Sequence, residues 1–120
     1  MITGVVTDDG KPIVQLPVGG REWPALIDSG FNGDLELPDA LRSAVNPRYV
    51  TDVLSILAAG VEVLEKSYDV DFPFDGRMTL AEATFVDGDS ILVGTGMMRD
   101  FRLEVDFVAR TVNLDRVAPP

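Results

Sequence analysis

The tripeptide Asp28-Ser29-Gly30 combines three residue types that suit acid–base chemistry. The carboxylate of Asp28 can accept or give a proton, the Ser29 hydroxyl can hydrogen-bond groups beside it, and Gly30 permits a close backbone approach. The apolar run from Trp23 to Ile27 comes directly before the acid and predicts a core strand. Asp28 is therefore expected at the mouth of a buried strand, where it is a candidate catalytic carboxylate.

The tripeptide has a simpler interpretation when it is taken alone. An Asp-[Ser/Thr]-Gly triplet arises by chance in roughly one chain in twenty of this length at ordinary residue usage. A polar turn that follows a strand would have the same composition. The tripeptide alone does not distinguish a turn from an active site, and the surrounding sequence is needed to separate them.

The composition limits the chemistry that is possible. The 120 residues include no Cys and no His, which excludes zinc held by nitrogen or sulfur, cysteine nucleophiles, disulfides and Ser-His relays. The chain has 10 Lys and Arg against 20 Asp and Glu, a formal net charge of -10. Such a charge would be repelled by a phosphate backbone and by an anionic membrane, so neither nucleic acid nor a membrane is an expected partner. Met1 to Gly4 has no secretion-signal character, and we expect a soluble, cytoplasmic protein.

The elements that would position Asp28 are mostly strands in a single domain over residues 1–120. The length and the 46% hydrophobic composition suit one compact core. Strand-like runs alternate with glycine-containing turns, and a short helix is predicted from Pro38-Asp39 to Val45, with a helical turn from Met97 to Asp100. The predicted turns lie at Asp8-Asp9-Gly10, Gly19-Gly20, Ala58-Ala59-Gly60 and Asp75-Gly76.

Two segments together resemble a known family. Ala25-Leu26-Ile27-Asp28-Ser29-Gly30-Phe31-Asn32-Gly33, followed by Leu35, Leu37 and Pro38, is similar to the active-site segment of single-domain bacterial retropepsin-like aspartic proteases. Ile91-Leu92-Val93-Gly94, followed by Met97 to Phe101, resembles that family's hydrophobic-hydrophobic-Gly element and the helix after it. Leu103 to Phe107 and Thr111-Val112 resemble its closing strands. The resemblance covers about Ile2 to Leu114.

The resemblance implies a fold and a set of roles. It implies a mainly β, closed β-barrel-like acid protease fold, corresponding to one retropepsin-like half with one or two short helices. Asp28 would be the catalytic carboxylate, Ser29 would brace two active-site loops against each other, and Gly30 would let the substrate backbone approach. Phe31, where the best-known viral members have Ala, would shape the pocket beside the scissile bond. Ala58, Ala59 and Gly60 fall at the tip of the family's flap, a hairpin that closes over bound peptide; an ordinary hairpin turn is the alternative.

One copy of the chain supplies only half of the required chemistry. The sequence has a single Asp-Ser-Gly, whereas peptide hydrolysis by this route requires two carboxylates around one water. A C2 homodimer would bring Asp28 and its symmetry mate together. The predicted function is hydrolysis of a peptide or protein substrate by a homodimeric aspartic endopeptidase, with no cofactor and no metal.

Several alternatives stay open from the sequence alone. The fold could be kept in a catalytically inactive dimer that binds peptides or acts as a scaffold. A small-ligand-binding β-barrel unrelated to proteases would instead be a monomer in which Asp28 is dispensable. Asp69 and Asp71, two apart on a predicted strand, could bind a hard cation, although a solvated strand face is the simpler interpretation. Gly94-Thr95-Gly96 is a weak candidate for a phosphate loop because it has no accompanying Lys.

Overall fold

The computed structural model describes residues 1–118, apart from the side chain of Ala58. Ten strands form one sheet: β1 (Ile2–Val6), β2 (Pro12–Val18), β3 (Arg21–Ile27), β4 (Leu35–Pro38), β5 (Arg48–Ile56), β6 (Glu62–Phe74), β7 (Arg77–Val86), β8 (Ile91–Val93), β9 (Phe101–Asp106) and β10 (Thr111–Arg116). Within residues 1–118, helical structure is limited to α1 (Arg42–Val45) and the 3-10 helices Asp39–Leu41, Ala58–Gly60 and Thr95–Met98. None of these helices is long and apolar enough to cross a membrane.

The predicted strands and turns are largely confirmed. The hairpin from Ile2 to Val18 reverses at the predicted turn, and Gly19-Gly20 leads into β3. The helix predicted from Pro38 to Val45 is a 3-10 turn that continues into α1, and it ends at Asn46 in a left-handed conformation, with φ of 49°. The second helical turn lies at Thr95–Met98, two residues before the predicted position, and is a 3-10 helix.

The order of strands in the sheet is β5-β6-β7-β4-β8-β3-β2-β1-β10-β9. Most neighbours are antiparallel, but β3 pairs with β8 and β4 pairs with β7 in parallel. β2 contacts β6 although the two strands are not neighbours in the sheet, so the sheet curls around its core. The largest fully buried side chains include Phe72, Phe74, Leu16 and Leu35, which come from strands of both halves of the sheet. Trp23, the first residue of the predicted core strand, is buried in the core.

The prediction of a closed barrel is wrong. β5 and β9 stand at opposite ends of the strand order, and no pairing between them is formed in the described part of the chain. β5 is exposed along most of its length, with only Val53 and Ser55 half-buried. In the described residues β5 pairs with β6 alone, and its apolar residues Val50, Leu54 and Ile56 face solvent instead of packing on the far edge of the sheet. Alternation within single strands predicted the sheet but contained no information on whether its edges would meet.

Candidate active site

Asp28 lies one residue beyond the end of β3, where the sequence pattern placed it. β3 is parallel to β8 in a register that sets Ile27 opposite Val93. The backbone N–H of Asp28 donates to the carbonyl oxygen of Val93 at 2.9 Å, so the ladder of the two core strands extends to the acid. The residue is half-buried, and its neighbours Ser29 and Gly30 are exposed. The carboxylate therefore stands at the surface end of a rigid strand pair.

Two backbone amides that follow Asp28 bind it, one at the carboxylate and one at the main-chain carbonyl oxygen. The N–H of Gly30 donates to Oδ1 of Asp28 at 2.9 Å, and the N–H of Phe31 donates to the carbonyl oxygen of Asp28 at 3.2 Å. A Cβ atom at Gly30 would lie 3.3 Å from Oδ1, which is a tight contact. A small residue at position 30 thus keeps the amide close to the acid, and the second carboxylate oxygen is left for other partners.

The loop from Phe31 to Asp34 is fixed by the segment that follows β8. The N–H groups of Gly94, Thr95 and Gly96 donate to the carbonyl oxygens of Asp34, Phe31 and Gly33 at 2.9, 2.8 and 3.0 Å. A Cβ atom at Gly94 would lie 2.1 Å from the Gly33 carbonyl oxygen, so only glycine permits this approach. The three amides of Gly94-Thr95-Gly96 are all used within the protein, and none of them remains for a phosphate.

The hairpin of β5 and β6 has its turn at Ala58–Gly60, the segment predicted to be a flap tip. The N–H of Leu57 donates to the carbonyl oxygen of Val61 at 2.8 Å and closes the turn, and Ala59 and Gly60 adopt positive φ values of 67° and 76°. Both are exposed. Antiparallel pairing joins the two strands from Arg48 and Asp69 up to Ile56 and Glu62. The inner-face residues of this long ribbon are half-buried, whereas residues such as Leu54 and Leu64 are exposed.

A pocket of about 250 Å³ lies between this hairpin and the loop after Asp28. We call it the acidic pocket because its lining includes Asp34, Glu36, Glu65 and Glu82. Phe31 also lines it, and Phe31 is the predicted site residue that the structure brings to this pocket. Burial first, and then repulsion from Glu65, raise the pKa of Glu36 above its ordinary value. Two acids from different strands therefore face one small cavity.

A second cleft of about 600 Å³ opens between β7, the loop after Asp28 and the segment that follows β8. Its lining shares Asp34 and Glu82 with the acidic pocket and adds Arg99, Asp100 and Arg116. Arg116 lies 3.8 Å from Asp100, so charges of both signs meet there. Asp28, Ser29, Ala59 and Gly60 do not line either of these two cavities. Within a single copy, the structure joins Phe31 to a pocket and leaves the half-buried Asp28 outside both cavities.

The Asp69 and Asp71 pair does not form a cation site. Asp71 accepts a hydrogen bond from the Asn46 side-chain amide at 3.1 Å and lies 3.0 Å from the Arg48 guanidinium, and these contacts lower its pKa. Asp69 lines the larger cleft instead. Among the described residues, no group of three or more His, Cys, Asp or Glu could hold a metal ion. Asp71 belongs to an ion pair on the strand face.

Three acids of this region were missed by the sequence interpretation. Asp34 accepts a hydrogen bond from the backbone N–H of Glu82 at 2.9 Å and so joins the active-site loop to β7. Glu36 lies between two buried leucines in the Leu35-Glu36-Leu37 strand, and strand alternation alone places it on the face opposite theirs. Glu65 could not be linked to Glu36 from the sequence, since their proximity depends on how the hairpin folds over β4.

Comparison with known proteins identifies the fold. No family model matches the sequence, and no match was found among curated proteins. A retropepsin-like aspartic protease from Rickettsia conorii superposes with a TM-score of 0.67 at 15% identity, over 96% of this chain and 89% of that one. The simian foamy virus (mac) protease in solution gives 0.56 at 23% identity, over 72% and 91%. A foamy viral protease-reverse transcriptase bound to an RNA/DNA hybrid gives 0.61 at 18% identity, over 78% of this chain and 13% of that one.

These similarities define the class of protein at the level of fold. The chain has the retropepsin-like fold, as the Asp28 segment and the Val93-Gly94 segment predicted. At these identities the match concerns the path of the backbone. The chemistry has to be argued from the residues.

Proposed function

We propose that the chain is half of an aspartic endopeptidase and that two copies, each supplying Asp28, hydrolyse peptide bonds. The observation that carries the proposal is the position of Asp28 in a retropepsin-like fold, at the outer end of the parallel β3 and β8 pair, with Oδ1 bound to the Gly30 amide. This arrangement fixes one carboxylate and leaves its outer side accessible. A C2 dimer would set two such carboxylates against each other across the axis.

The proposed chemistry follows from the close approach of two acids. Two adjacent carboxylates cannot both ionise readily, so the pair holds one proton, as in the well-known aspartic-protease dyad. The ionised Asp28 takes a proton from the water as the water oxygen attacks the peptide carbonyl carbon, and the protonated Asp28 of the second copy donates to the carbonyl oxygen. The first Asp28 then gives the proton that it took from the water to the amide nitrogen as the C–N bond breaks, and one hydroxyl of the tetrahedral intermediate returns its proton to the second Asp28 as the carbonyl forms again. This route requires neither a covalent intermediate nor a cofactor.

The hairpin of β5 and β6 would act as the flap. Its half-buried face covers the acidic pocket beside Phe31, and its tip at Ala58–Gly60 extends away from the core. Closing this ribbon over a bound peptide would exclude water from the carboxylates. Ser29, which is exposed beside Asp28, would brace the equivalent loop of a second copy.

A subunit-mixing experiment tests the shared site. Cleavage of a mixed peptide library by the wild-type protein is first measured from acid to neutral pH, both with and without the inhibitor pepstatin. A ninefold excess of Asp28→Asn protein is then added under conditions that allow subunits to exchange, and the activity per wild-type chain should fall several-fold because most wild-type chains then sit in heterodimers with one acid. An activity per wild-type chain that is unchanged by the excess variant would mean that one chain is sufficient for cleavage. Peptide binding without any cleavage would instead indicate a catalytically inactive peptide-binding module.

A further inference from the structure

The acidic pocket carries negative charge that no Lys or Arg of its lining balances. Asp34, Glu36, Glu65 and Glu82 contribute to its lining, and no Lys or Arg is part of that lining. Among the described residues, none of the four carboxylates forms an ion pair. Burial first, and then repulsion from Glu65, raise the pKa of Glu36, so the charged form of Glu36 is unfavourable in this pocket. A cation placed between them would relieve this repulsion.

Ser67 adds a polar group deeper in the same pocket. It is the one buried polar residue in the described part of the chain, with an exposed fraction of 6%. Together with Glu65, it lines the pocket. The Ser67 hydroxyl has no hydrogen-bond partner among residues 1–118. The buried side-chain polar atoms without a partner in the described residues are Trp23 Nε1 and Arg116 Nε, so the Ser67 hydroxyl is open to solvent, and a group entering the pocket would bind it in place of water.

The shape and lining of the pocket favour an organic cation over a metal ion. No group of three His, Cys, Asp or Glu among the described residues is arranged to hold a metal, so the acids are too dispersed for a coordination shell. Phe31 supplies an apolar wall. A Lys or Arg side chain has an apolar stem that can pack on such a wall and a charged head with several N–H donors that can reach dispersed acceptors.

We propose that the acidic pocket binds a Lys or Arg side chain of the peptide substrate and so directs cleavage to basic sequences. The inference rests on the proposed function, since it assigns the pocket to the same bound peptide that Asp28 would cleave. Glu36 and Glu65 are its specificity-determining residues. The net charge of -10 would also attract basic peptides from solution.

The test uses peptides that carry Lys, Arg, Met or Glu at one position at a time. Cleavage by the wild-type protein is measured as kcat/KM, and binding of the same peptides is measured with the Asp28→Asn protein, so that binding is scored even if no cleavage occurs. At one position, Lys and Arg should exceed Met about tenfold in both measurements. Adding Glu65→Gln or Glu36→Gln should remove most of that ratio. Glu22→Gln, at an exposed acid of β3 that does not line the pocket, should keep the ratio and is the matched control.

The outcomes separate this inference from the proposed function. No cleavage together with preferential binding of Lys or Arg peptides would overturn the proposed protease and support the pocket. If peptides with Lys and with Met at every position are bound and cleaved equally well, or bound equally well without cleavage, the proposed role of the pocket is overturned. A basic preference that survives in both Glu36→Gln and Glu65→Gln, with their folding checked by thermal unfolding, would also overturn it.

Discussion

The backbone N–H of Asp28 is 2.9 Å from the carbonyl oxygen of Val93, and this hydrogen bond continues the parallel pairing of β3 and β8 up to the candidate catalytic acid. The two residues belong to segments far apart in the sequence. The position of the carboxylate therefore depends on β8 and on the Gly94 turn that follows it, as much as on the Asp28-Ser29-Gly30 tripeptide. Substitutions near Val93 should therefore shift the Asp28 carboxylate even where the new side chain makes no contact with it.

Gly94→Ala should destabilise the fold by about 3 kcal/mol. The new Cβ atom would lie 2.1 Å from the Gly33 carbonyl oxygen and 2.8 Å from that of Phe31, so the backbone of the active-site loop would have to move. Urea unfolding at a fixed protein concentration measures the effect. Gly88→Ala is the control, since a Cβ atom there meets nothing within 4 Å. Equal stability of the two variants would show that the loop is not packed as described.

Asp34→Ala should lower the free energy of unfolding by about 1 kcal/mol. The change removes the acceptor of the Glu82 backbone N–H and leaves that donor without its partner in the folded protein. Asp34→Asn keeps a side-chain oxygen at the same place and should lose less. Thermal unfolding of the two variants side by side gives the comparison. A loss for Asn as large as that for Ala would argue against the hydrogen bond as the cause.

The strands, the turns and the position of Asp28 could be predicted from the sequence because they depend on local patterns. Alternating apolar residues and glycine turns predict strands, and the apolar run before Asp28 predicts that the acid ends one. The pairing of β3 with β8, and the approach of Gly94 to Gly33, depend on contacts between distant segments. The acidic pocket was missed for the same reason, since Glu36 and Glu65 meet only in the folded chain. The barrel prediction failed because edge strands carry no local signal of closure.

Glu36→Gln should stabilise the protein at pH 7 and leave its stability unchanged near pH 3. Burial and Glu65 raise the pKa of Glu36 in the folded state above its ordinary value of 4.5, so the folded chain binds the proton more tightly than the unfolded chain does. Stability contributed by Glu36 is therefore lost as the pH rises through 4.5 and beyond. The Gln side chain stays neutral and avoids this loss.

Melting temperatures at pH 3 and pH 7 measure the difference between wild type and Glu36→Gln. Glu62→Gln serves as the control, because Glu62 is an exposed acid of the hairpin that does not line the acidic pocket. Its melting temperature should follow that of the wild type at both values of pH. A Glu36→Gln variant less stable than the wild type at pH 7 would contradict the environment described for this carboxylate.

The rate of peptide cleavage by Asp28→Asn protein tests the central claim most directly. The substitution removes the charge and the proton-accepting oxygen of the dyad while keeping the size of the side chain, so kcat/KM should fall by on the order of 10³-fold with no change in the assembly. Asp87→Asn, in an exposed turn of the same chain, should keep wild-type activity. An Asp28→Asn protein that is folded and cleaves peptides as fast as Asp87→Asn would contradict the assignment of Asp28 as the catalytic acid.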